Sequence, residues 1–123
     1  MIESRTAVDV EAAVRQWCRD HDFTAFFGTN NNGDFPQVII QRVAGPDNDC
    51  LIQFDVWAAE GGGKKQAADE AARLATELTG LSGFDHDGVR LHDATWTSTR
   101  WLPDEISDRP RYIVEARVFA TAI

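Results

Sequence analysis

Four places in this chain of 123 residues carry residue types that chemistry uses. The first is Glu60-Gly61-Gly62-Gly63-Lys64-Lys65. Glycines ahead of a helix expose backbone amides, and lysines add positive charge, as in loops that cradle phosphate. The phosphate-loop pattern requires Gly, four residues, then Gly-Lys and a hydroxyl residue. Ala58 stands where the first glycine belongs and Lys65 where the hydroxyl belongs. Nothing would hold a magnesium ion there, and the segment reads as a flexible elbow.

The second is a repeated tripeptide, Asp20-His21-Asp22 and Asp85-His86-Asp87. His with carboxylates can bind a transition metal. Neighbouring side chains on extended backbone point in opposite directions, so neither tripeptide supplies enough ligands alone. The plainer reading is a His near the negative end of a helix dipole, and a solvated loop. The third is His92-Asp93, with Ser98 or Cys50 as a nucleophile that would have to be brought close through space. No nucleophile-elbow motif accompanies them. No catalytic, metal or cofactor site is expected from these residues.

The fourth is the pair of segments Trp101-Leu102-Pro103-Asp104 and Arg109-Pro110-Arg111-Tyr112 around the last turn. Two readings stand side by side. Arg109, Arg111 and Asp104 could clamp the turn by ion pairs, which contribute only about 0–1 kcal/mol each when exposed. Alternatively, Trp101 and the arginines meet a neighbouring subunit, since Trp and Arg dominate interface hot spots.

The elements that must carry these residues follow from periodicity. Cys50, Ile52, Phe54 and Val56 alternate with Leu51, Gln53, Asp55 and Trp57 in the two-residue repeat of a strand. After the three glycines, Ala67, Ala71, Leu74, Ala75, Leu78 and Leu81 draw a helical stripe over about 64–80. A first helix spans 6–21, capped by Thr6 or Asp9, with Val10, Ala13, Val14, Trp17 and Cys18 inward. Residues 23–27 fit a short strand or a packed loop, and Thr29–Asp34 a turn. Residues 35–44 form a strand opened by Pro36, which lacks an amide proton. The GPDND turn then favours an antiparallel hairpin with 50–57. FDHDG at 84–88 reads as a loop, 89–102 as an extended segment, and Tyr112 to Phe119 as the last strand. The expected class is α+β, a mostly antiparallel sheet with two helices packed on one face, in the order α-β-β-α-β-β. The other face is mixed rather than cleanly polar, and apolar surface left exposed there points to association.

Composition bounds the rest. The length suits one domain over 1–123, and 43% hydrophobic residues can build a core. A net charge of -8 makes a poor grip on nucleic acid through phosphates. Cys18 and Cys50 fall on apolar sides of their elements and read as buried thiols. The Met1-Ile2-Glu3-Ser4-Arg5 start is no secretory signal, and no apolar run nears the roughly 20 residues of a membrane span. A cytoplasmic, reduced setting is expected.

Phe35-Pro36 opening a strand, Ile52-Gln53-Phe54-Asp55-Val56-Trp57 ahead of an Ala- and Leu-rich helix, and Arg109-Pro110-Arg111-Tyr112 before the last strand together resemble the tail terminator proteins of long-tailed (siphovirus-type) bacteriophages. The resemblance runs from about residue 8 to 120. It implies a virion structural protein without enzymatic activity, assembled in the host cytoplasm into the virion tail. It implies a homo-hexameric ring on the head-proximal end of the tail tube, which stops tube polymerisation and offers a surface for head attachment. The implied partners are other copies of the chain, the tail tube protein and a head-completion or neck protein, with genomic DNA passing through the lumen without specific binding. No cofactor and no membrane are implied. The candidate interface residues are Trp57, Trp101, Asp104, Arg109 and Arg111. The alternatives are a neck or head–tail connector component, and a small cytoplasmic enzyme or ligand-binding α+β domain.

Overall fold

The structure is a computed structural model that describes residues 9–27 and 35–123. Helix α1 (Val10–Asp20) opens on Asp9, whose carboxylate accepts the Ala12 amide at 3.0 Å. A side-chain oxygen at this position replaces a carbonyl that the first turn lacks. Its buried stripe is Val10, Ala13, Val14, Trp17 and Cys18, as the spacing predicts. It ends where Asp22 turns to φ 65, and β1 (Thr24–Phe27) follows. The remaining elements are β2 (Gln37–Ala44), β3 (Asp49–Trp57), α2 (Lys64–Glu77), β4 (Phe84–His86), β5 (Val89–Trp101) and β6 (Arg111–Ala122). The expected second helix ends in a 3₁₀ turn, Leu78–Gly80. Among the described residues no helix is long and apolar enough to cross a membrane.

The six strands form one sheet in the order β1-β2-β3-β6-β5-β4. β1 runs parallel to β2, and the other neighbours are antiparallel, so the sheet is mixed; it is also curled. The class is α+β with two helices, but the expected mostly antiparallel sheet in the order α-β-β-α-β-β needs correction: the sheet is mixed and the order is α-β-β-β-α-β-β-β. Residues 24–27 form a parallel edge strand, and 84–86, read as loop, form an antiparallel one. Both are too short for a two-residue alternation to register in sequence. The 29–34 turn and the Thr6 cap lie outside the described residues.

The nine-residue β3–β6 register decides the layering. Cys50, Ile52, Phe54 and Val56 stand beside Val118, Ala116, Val114 and Tyr112, and Val38 and Ile40 of β2 extend the same face. These residues, with the exception of the half-buried Tyr112, are fully buried in a single cluster that includes Val14 and Trp17 of α1, and Ala71 and Leu74 of α2. Both helices therefore cover one face. The β2–β3 turn needs a glycine: Gly45 has φ +89, and a Cβ there would stand 2.5 Å from the Asp49 carbonyl. Replacing Phe54, at the centre of the cluster, with Ala should cost about 3–5 kcal/mol of unfolding free energy in a urea titration.

Candidate functional site

The loop from Leu102 to Pro110 joins β5 to β6 and is the most elaborately braced segment outside the core. Its backbone closes on itself: Leu102 donates to Arg111 at 3.0 Å, Asp104 to Arg109 at 3.1 Å, and Asp108 to Asp104 at 2.8 Å. Asp108 adopts φ 58, a left-handed conformation that an Asp tolerates in a turn. The Asp104 carboxylate caps the turn by accepting from the amide of Ser107 at 2.9 Å and from its hydroxyl. Those two bonds hold Asp104 below the usual carboxylate range.

The same loop is fastened to the end of β3. The Ala58 amide donates to Pro110 at 3.2 Å, and Arg109 Nη2 donates to the Ala58 carbonyl at 2.9 Å. Arg111 Nε donates to Leu102 at 2.8 Å. Both guanidinium groups stack on Trp57, with their central carbons 5.3 Å (Arg109) and 4.8 Å (Arg111) from the ring centroid. A cation over an indole contributes about 0.5–2 kcal/mol, more as water is excluded. Arg111 also lies 3.6 Å from the carboxylate of Asp55, which is 8% exposed and accepts from Gln53 at 2.7 Å.

Of the five residues singled out from sequence, Trp57, Arg109 and Arg111 come together in this clamp. Asp104 joins it through backbone bonds, and its carboxylate serves Ser107. Trp57 is buried, so what it contacts is its own chain's arginines. Trp101 lies tilted against Tyr112, with ring centroids 5.1 Å apart, and has Lys64 Nζ 4.6 Å from its ring, yet stays 38% exposed. Leu102 is exposed beside it, and Ile106 at the loop tip is 97% exposed.

The elbow ahead of α2 flanks this loop. Gly62 donates to Ala59 at 2.7 Å and the Gln66 side chain accepts from Ala59 at 2.7 Å, so the elbow is a closed turn. Gly61 takes φ 78. Between elbow and loop lies an open cleft of about 420 Å³, lined by Ala59, Glu60, Gly61, Gly62, Ser107, Arg109 and Pro110. Beside the clamp, the cross-strand neighbours Gln37 and Trp57 each bury a polar atom, Oε1 and Nε1, without a hydrogen-bond partner.

The face without helices is mixed. Ile39, Asp55, Ile113 and Arg100 form one row across four strands, and Gln41, Gln53, Glu115 and Ser98 another. Ile39 and Ile113 are buried there, whereas Phe119 is 43% exposed.

The other candidates are held in structural roles. His21 Nδ1 lies 2.8 Å from the Trp17 carbonyl, and its ring stacks on that indole at 4.3 Å. Asp85 takes a two-point ion pair from Arg90, the shorter contact 2.7 Å. His92 contacts the Thr121 hydroxyl at 2.6 Å, and Ser98 donates to Glu115 at 3.1 Å. Burial pushes the thiols of Cys18 and Cys50 up, away from the reactive thiolate. Among the described residues no three His, Cys, Asp or Glu side chains gather as a metal site.

Arg73 was not singled out by residue type or spacing. It bonds Glu70 and Glu77 on its own helix and the carbonyls of His21 and Asp22, and its guanidinium lies 3.7 Å from the Phe23 centroid. It thus ties α2 to the end of α1. The only sequence signal was a cation on an otherwise polar side of the helix, which is commonplace.

Arg111→Ala strands the nearly buried Asp55 carboxylate and should cost about 1–3 kcal/mol in denaturant unfolding. Arg117→Ala, at an exposed pair with Asp49, should stay within about 0.5 kcal/mol of the parent. The depressed Asp104 carboxyl makes the cap complete above its ordinary value of 3.8, and the cap is lost as pH falls through the lower folded value. The Ser107 amide resonance should therefore titrate with a midpoint below 3.8, and Asp104→Asn should abolish that titration.

No protein-family model matches this chain, and no curated protein matches it in sequence.

Proposed function

We propose that this chain is a tail terminator-type assembly protein of a long-tailed bacteriophage. In this reading six copies form a ring on the head-proximal end of the tail tube. The ring stops the tube from growing and presents a surface to a head-completion or neck protein. It performs no chemistry, and DNA traverses its lumen without specific contacts.

One observation carries the proposal: the end of β5 and the Leu102–Pro110 loop display Trp101, Leu102 and Ile106 to solvent on a frame fixed by backbone bonds and two arginine stacks. Apolar side chains held out on a rigid support suit association, because little flexibility remains to be lost on docking. The resemblance carried by QFDVW and RPRY falls on the same place, since Asp55, Trp57, Arg109 and Arg111 are the clamp itself. The excess of carboxylates suits a passage for a polyanion, as like charges repel.

The test is an assembly reaction with the tail tube protein of the same virus. Added during polymerisation, this chain should shorten the tubes and appear in electron micrographs as a six-fold ring at one end. Tubes of unchanged length with bare ends would refute the proposal. Ile106→Asp, at a side chain with no packing to lose, should weaken capping at least about tenfold and leave the melting midpoint unchanged.

A further inference from the structure

β5 has a long free edge. β4 pairs with Val89, Arg90 and Leu91, and on the edge facing away from β6 no described strand lies beside β5 from His92 onward. Unpaired strand edges invite another strand, and proteins blunt them with Lys, Pro, inward charges or very short strands. The segment Asp93-Ala94-Thr95-Trp96-Thr97-Ser98-Thr99-Arg100-Trp101 has no Lys and no Pro. It holds three Thr and two Trp, which favour strands. One Asp and one Arg leave it neutral in a chain of net charge -8. Most of it is exposed.

The charges are placed to pair with themselves. Laid antiparallel against its own copy about a twofold axis between residues 96 and 97, β5 sets Asp93 opposite Arg100 of the second copy, twice. Ala94 then meets Thr99, and Thr95 meets Ser98. Directly opposed residues must share a face. In a regular strand, residues seven apart point to opposite faces, so this register would fail. The bulge between Trp96 and Ser98 resets the alternation. Asp93 pairs with Phe119 of β6 and Arg100 with Ile113, both on the helix-free face. Ala94 pairs with Val118 and Thr99 with Val114, both on the helix-covered face. The Asp93–Arg100, Ala94–Thr99 and Thr95–Ser98 pairs thus match in face because of the bulge. The ladder is interrupted for one step at the axis, where the Thr97 hydroxyl turns back to the Glu115 carbonyl at 3.1 Å. Trp96, half exposed, lies next to the axis against its own copy.

We infer that the free chain forms a twofold dimer by antiparallel pairing of β5 with β5 of a second copy, registered by two Asp93–Arg100 ion pairs and joining two sheets into one. The inference goes beyond the ring reading. A ring with unlike upper and lower faces has no twofold axes in its plane. The dimer is therefore the form of the free chain, and it parts before six copies close around a tube.

Sedimentation equilibrium of the purified chain over micromolar concentrations should show a monomer–dimer equilibrium. Asp93→Arg and Arg100→Asp each place like charges opposite one another and should weaken the dimer at least about tenfold. The double variant restores both pairs and should return to within about threefold of the parent. Thr95→Cys with Ser98→Cys places thiols across the axis at strand-pair distance and should yield a disulfide-linked dimer under mild oxidation. A monomer at every concentration would overturn the inference, and so would a dimer without cross-linking. A larger oligomer indifferent to the charge swaps would also overturn it while leaving the ring proposal standing. All these positions are exposed or half-buried, and Ile106→Asp should leave the dimer unchanged.

Discussion

The pairing of β3 with β6 is the constraint on which the rest of the molecule depends. Nine consecutive residue pairs lock two strands in one register. A slip of a single residue would turn every side chain to the wrong face. In the observed register, Ile52, Phe54, Ala116 and Val114 all point to the helices and close a core with α1 and α2. The odd-numbered residues of the same strands, Gln53, Asp55, Glu115 and Arg117 among them, go to the other face. The position of each helix and the character of each surface follow from that one alignment.

The arginine clamp is a local consequence of it. The register ends with Trp57 beside Arg111, so an indole and a guanidinium far apart in sequence become cross-strand neighbours. Arg109 then adds a second stack and a bond to Ala58. A nine-residue connection that would otherwise sample many conformations is held at both ends and capped inside by Asp104. Loops rich in Asp, Ser and Pro are usually the most mobile parts of a domain. This one has several of its backbone polar groups engaged with its own residues and with the end of β3, so that Leu102 and Ile106 are exposed, beside Glu105 and Asp108, on a braced backbone.

Much of the framework was legible because burial is one-sided and therefore periodic. The stripe of α1 and the alternation of Cys50 to Trp57 follow from spacing alone, whereas the cap stayed open between Thr6 and Asp9. The Trp57, Arg109 and Arg111 segments stood out by residue type, but their contact depends on a register between strands more than 50 residues apart, which no local pattern encodes. β1 stayed open between short strand and loop, and β4 read as loop, because four and three residues are too few to show a period. Arg73 and Gln66 escaped because a polar helix residue with tertiary work looks like one facing water. The bulges in β5 blurred its alternation, and that weak pattern in sequence is the trace of two resets in facing.

β6 comes last in the chain and yet lies in the middle of the sheet. Its partners are β3, made long before, and β5, which turns directly into it. Until β6 is in place, β3 has an open flank, and the helices have only part of a surface to rest on. The N-terminal half can gather locally but cannot close its core. Closure of the core must then wait for β6, and a chain without that strand would carry an exposed apolar seam rather than form a smaller version of the same domain.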